Sequence, residues 1–116
     1  MAENPEEREF TLYDLRVECI EINGEAEANY DVGDYFEVHG EDLVFPDGQP
    51  FSMYALSSLL PLLPAKQRET DPNDWMSDTV RVSGPDPDIA GVFEITRTDS
   101  RKVTYTDVSS ESVDSE

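Results

Sequence analysis

The stretch PFSMYALSSLLPLLP, residues 50–64, decides how the rest of the chain is read. It is the longest apolar run. Phe51, Ala55, Leu59 and the Leu62–Leu63 pair recur at three- and four-residue steps, the spacing of one helical face. Met53, Tyr54, Leu56 and Leu60 widen that face until only Ser52, Ser57 and Ser58 interrupt it. A surface so broad implies a helix covered on more than one side. Pro50 suits a first helical turn, where a missing N–H costs nothing. Pro61 removes an intrahelical hydrogen bond and biases Leu60 away from helical geometry. The regular helix is therefore expected to end or kink near Leu60, with Leu62 and Leu63 continuing irregularly to Pro64. A core helix and a partner-binding amphipathic helix both fit this pattern. A membrane span does not, since about 20 apolar residues are needed.

Outward from the helix, the flanking segments read as short strands. From Phe10 the pattern is extended: Tyr13, Leu15, Val17 and Cys19 alternate with Asp14, Arg16 and Glu18. At Ile20 the phase slips, and Ile22 follows the new phase. A strand changes face only through an extra residue, so a bulge or strand end is expected at Cys19–Ile20. Asn23-Gly24 is a turn signal, and residues 25–32 read as a polar loop. Residues 35–39, YFEVH, form a second strand with Phe36 and Val38 on one face. Residues 43–45 form a short third strand, stopped by Pro46-Asp47-Gly48. After the helix, KQRETDPNDWMSD (residues 66–78) reads as a polar connector. Residues 79–83 alternate as a strand, residues 84–88 as a rigid turn, residues 92–97 as a further strand, and residues 103–105 as a small edge strand. The expectation is an α+β domain over residues 10–106, an antiparallel sheet of four to five strands packed on one main helix. One face of the sheet is covered and the other solvated. Residues 1–9 read as a mobile acidic tail, and the Ser- and acid-rich residues 107–116 as a disordered one.

The chain has 27 acidic and 8 basic residues and a formal net charge of −19. The acids are dispersed among patterned apolar residues, unlike a disordered acidic chain. Such dispersion suits a cytoplasm of very high salt, because in molar salt the screening length falls to about 3 Å. A halophilic source and a stability that rises with salt are expected. Nucleic-acid binding is not, since phosphate contacts require a basic stripe. The N-terminus is acidic and polar, unlike a secretory leader. The single cysteine, Cys19, fits a reducing cytoplasm.

No residue pattern demands a cofactor or a metal. One Cys and one His fall short of the four ligands of a structural zinc site. Asp71 and Asp74 read as turn or helix-capping residues. His39 ends a strand beside Gly40, with no nucleophile in sequence to serve. Trp75, the only tryptophan, lies in the polar connector. It is either a plug over one end of the core or an exposed anchor for a partner, with Gln67 and Arg68 nearby in sequence.

The segments YDLRVECIEI, VGDYFEV, YALSSLLPLLPAKQR, DPNDWM and GPDPDIAGVFEITR, over about residues 12–97, resemble a family of short prokaryotic proteins of unknown function. The resemblance rests on Val-Gly-Asp, then an Ala-Leu…Pro helix, then Pro-Asp-Pro before a strand; the acidity marks a haloarchaeal type. It implies cysteines where this chain has Ala26, Gln49 and Gly84. A thiol chemistry in relatives would therefore be missing here. The resemblance implies the fold and its limits, and no reaction.

Two functional readings follow. One is a non-enzymatic interaction or assembly module, cytoplasmic, meeting a protein partner through Tyr54, Gln67, Arg68, Asp74 and Trp75. The other is a small-molecule binder or small enzyme with a pocket between helix and sheet near His39 and Asp74.

Overall fold

A computed structural model describes residues 8–24, 30–86 and 89–104. The tails expected at 1–9 and 107–116 fall outside these residues, except that Arg8 and Glu9 are described. So do residues 25–29 of the expected loop and 87–88 of the expected turn. The elements are β1 (Glu9–Asn23), β2 (Tyr35–His39), β3 (Asp42–Val44), α1 (Met53–Leu59), a 3-10 turn (Leu60–Leu62), α2 (Leu63–Lys66), a second 3-10 turn (Trp75–Ser77), β4 (Val80–Ser83) and β5 (Ala90–Thr104). All five strands form one antiparallel sheet in the order β3-β2-β1-β5-β4. The expected α+β architecture is the one observed.

The spine of the sheet is the β1–β5 pair, which runs from Glu9 opposite Thr104 to Asn23 opposite Ala90. Its register shifts twice. Between Cys19 and Glu21 the extra residue lies on β1, at the phase slip seen in the sequence. Between Tyr13 and Leu15 it lies on β5, where Leu15 faces Arg97 and Tyr13 faces Ser100. That second bulge corrects the sequence reading. The polar run Thr98–Lys102 looks like a break between two strands, but β1 carries β5 through it as one 15-residue element.

The helical rod also departs from expectation at both ends. Ser52 caps it, its Oγ accepting from the Ala55 N–H at 3.2 Å, and Pro50 and Phe51 lie before the helix. A serine oxygen satisfies an orphan N–H better than Pro50 at a first turn would. At Leu60 the rod tightens into 3-10 geometry around Pro61, then resumes as α2 through Pro64. Each proline falls within the first two residues of its turn, where its missing N–H is tolerated. The irregular run expected at residues 62–63 is thus helical. The rod is covered on one side only, against the expectation of wider burial: Ala55, Leu59 and Leu63 form its inward row at four-residue steps.

That row packs over Leu15, Val17, Cys19, Phe36, Val38, Val80, Phe93 and Ile95. At one end of the seam Phe51 is the hub of a ring cluster. Its centroid lies 5.2 Å from Phe36, 5.5 Å from Phe93, 5.6 Å from Phe45 and 6.2 Å from Tyr30. Gly91 makes this possible, because a Cβ there would lie 2.5 Å from the Tyr30 hydroxyl and 2.9 Å from its ring. Burial pushes the Tyr30 hydroxyl and the Cys19 thiol above their ordinary pKa values. Gln49 completes the nearby edge: its side-chain amide accepts from the Tyr35 N–H at 3.1 Å and donates to the Tyr35 carbonyl at 2.8 Å. It does the work of one more strand residue.

Candidate functional site

At the other end of the seam the helix and sheet do not close. Beyond His39 the β2 strand stops, and Gln67 takes over its pairing. The Tyr13 N–H donates to the Gln67 carbonyl at 2.8 Å, and the Gln67 side-chain Nε2 donates to the Gly40 carbonyl at 2.6 Å. Beside this junction lies an open groove of about 630 Å³, lined by Leu12, Val38, Leu43, Leu60, Leu63 and Pro64, with Gly40, Glu41, Gln67 and Arg68 as its polar members. The volume is in the range of small-ligand and peptide pockets.

The rod's outward face is apolar as well. Met53 is 69%, Tyr54 64% and Leu60 43% exposed. Met53 and Leu60 share one helical row, seven residues apart. Tyr54 borders a smaller hollow of about 210 Å³ with Tyr30, Ser52, Ala55, Pro85 and Ile89.

Trp75 is 60% exposed, and its neighbour Met76 is the buried plug. The turn that presents it is firmly built. Asp74 caps it, Oδ1 accepting from the Met76 N–H at 2.9 Å, and Asp71 Oδ1 accepts from the Asn73 N–H at 2.8 Å. Both aspartates thus hold turn and capping positions. Beneath, the Lys66 ammonium is buried and donates to the Met76 carbonyl at 2.6 Å and to the Asp78 carbonyl. Burial, with Arg97 nearby, lowers the Lys66 pKa. Arg97 ties the same connector to β5, donating to the carbonyls of Lys66 at 2.9 Å and Arg68 at 2.7 Å.

His39 is not in the groove; it lies on the polar lattice of the sheet. Its Nδ1 is 3.1 Å from Asp14 Oδ2 and its Nε2 is 2.9 Å from Glu37 Oε1. Protonation would let both ring nitrogens donate, one to each carboxylate. The Glu37 hydrogen bond, then that of Asp14, raises its pKa. Arg101 shares Asp14 at 2.5 Å, and Arg16 bridges Glu18 and lies 3.7 Å over the Tyr35 ring. This lattice ties β1 to β2 and β5.

Of the residues singled out from sequence, Gln67 and Arg68 meet in the groove, and Asp74 serves Trp75. Tyr54 borders a separate hollow, and His39 stands apart. The groove's apolar members were missed; the one local signal was Leu43–Val44, apolar residues on a strand too short to bury them. Lys66 was missed because a lysine beside Gln67 and Arg68 reads as solvent-facing. Among the described residues, no three His, Cys, Asp or Glu side chains are grouped as metal ligands, and no helix is long and apolar enough to cross a membrane.

No family model, no curated protein and no solved structure matches this chain.

Proposed function

We propose that this chain is a non-enzymatic protein-interaction or assembly module of a salt-rich cytoplasm. The observation that carries the reading is the outward apolar face of the rod, Met53, Tyr54 and Leu60, with Trp75 held rigidly on the following turn. None of these four side chains belongs to the buried core cluster or to the partly buried side chains packed on it. Exposed aromatic anchors on a fixed frame are typical of partner surfaces. The one histidine supports the same reading: both its ring nitrogens are engaged by carboxylates, which raise its pKa and leave neither turned to a substrate.

A photo-reactive side chain placed at Tyr54 in cells tests the reading, with one at Arg81 as control; Arg81 pairs with Glu94 at 3.2 Å, away from the helix. A discrete cross-linked adduct from Tyr54, absent from Arg81 and lost with Trp75→Ala, is expected. Equal patterns from both positions, or none from Tyr54, would rule the surface out. The salt-rich setting has its own test. The melting temperature should climb from dilute buffer to molar KCl as self-repulsion is screened, and a flat response would remove that part.

A second reading, a small-molecule binder, draws on the groove volume.

A further inference from the structure

The groove carries a charge pattern that the interaction reading alone does not use. Most basic side chains of this chain are committed. Arg16 pairs with Glu18 and Glu37, Arg81 with Glu94 and Arg101 with Asp14. Lys102 donates to the Thr11 hydroxyl, and Lys66 and Arg97 donate to backbone carbonyls. Arg68 differs. Its guanidinium lies 5.0 Å over the Phe10 ring and has no hydrogen-bond or ion-pair partner among the described residues. It lines the groove together with a row of aliphatic side chains and one carboxylate, Glu41.

An arginine left without a carboxylate in a chain of net charge −19 is a ready site for an external one. The same charge restricts the ligand. A net anion is repelled by the whole protein, whereas a carboxylate that ends a cationic chain is attracted. Glu41 offers the second charge such a ligand needs. The groove volume of about 630 Å³ admits a few side chains.

We propose that the groove receives the C-terminal end of a partner polypeptide. Its terminal carboxylate pairs with Arg68, its last aliphatic side chains lie against Leu12, Val38, Leu60 and Leu63, and an upstream Lys or Arg faces Glu41. Capture of a chain end by a carboxylate site is a known mode of peptide recognition. The proposal rests on the interaction reading and names which part of the partner is held.

The test is calorimetric titration of the full chain with short peptides of a Lys-Leu-Val-X pattern, where X is Leu, Ile, Val or Phe. Each is used as free acid and as C-terminal amide, with decanoate as a third probe. The acids should bind at least about tenfold more tightly than the amides, the scale of one charge-assisted hydrogen-bonded pair. Arg68→Gln should erase that difference. Leu60→Glu, at an exposed position, should abolish binding with the melting temperature unchanged. Equal binding of acid and amide, or no binding by any peptide, overturns the proposal. So does decanoate binding with the same Arg68 dependence in place of the peptides, which makes the ligand a small amphiphile. A change of oligomeric state in Leu60→Glu also overturns it, because the groove is then the seat of a second copy. A Trp75-dependent cross-link that persists without peptide binding sinks the groove assignment alone. Peptide binding without any cross-link from Tyr54 sinks the outer-face reading instead.

Discussion

The two ends of the helix–sheet seam are built from the same elements and finish differently. At the Phe51 end five aromatic rings meet within 6.2 Å of a neighbour, and the hollow beside Tyr30 is only about 210 Å³. At the Leu60 end the apolar side chains are aliphatic, with no aromatic ring among them, and a groove of about 630 Å³ remains. The comparison teaches how this chain divides its apolar content. Stability is concentrated where rings interlock, and the opposite end is left short of side-chain volume.

The largest effect should come from removing the hub. Phe51→Ala should cost about 2–3 kcal/mol, below the range for a fully buried aromatic because Phe51 is partly exposed, measured by denaturant unfolding. Leu60→Ala at the open end should cost less than about 0.5 kcal/mol, as at ordinary surface positions. Similar costs at both would dissolve the contrast. Next comes Lys66→Met, which leaves the Met76 and Asp78 carbonyls without their donor. A loss of about 2–3 kcal/mol is expected from unsatisfied buried groups, with faster proteolysis in residues 67–79. Gly91→Ala returns to the closed end. The added methyl must displace the Tyr30 ring, at about 1–2 kcal/mol for overpacking, and near-ultraviolet circular dichroism should report it.

The smallest effect is that of His39, at the point where β2 ends and the groove begins. Its folded pKa is raised, so its contribution is fully present below the unfolded value near 6.5 and is lost as pH rises through the folded value. It is the only histidine. Wild-type melting temperature should therefore fall modestly from about pH 6 to 8.5, and His39→Gln should flatten that slope. An unchanged slope in the variant would detach the Asp14–His39–Glu37 lattice from stability.

How much of this was legible depended on how far apart the partners lie in the chain. The strand at Tyr35–His39 and the phase slip at Ile20 are local patterns, and alternation alone revealed them. The Phe51 hub joins positions 30, 36, 45, 51 and 93, and no local period encodes such a meeting. The same holds for Lys66, whose acceptors lie ten and twelve residues on. The candidate surface was half legible. Trp75, Gln67 and Arg68 stood out as residue types, whereas the groove arises from a helix that continues through two prolines beside a strand that stops early.

The long β1–β5 ladder has a mechanical consequence. Glu9 and Thr104 sit directly opposite one another as the outermost described pair at one end. Tension drawing these two residues apart would act along the interstrand hydrogen bonds, loading them one pair at a time. The ribbon would therefore peel open like a zip fastener at low force. Past the Lys102–Thr11 bond, its main obstacle would be the kink between Tyr13 and Leu15, where the Gln67 carbonyl meets β1 from outside the ladder and the Arg101–Asp14 pair clasps β1 to β5.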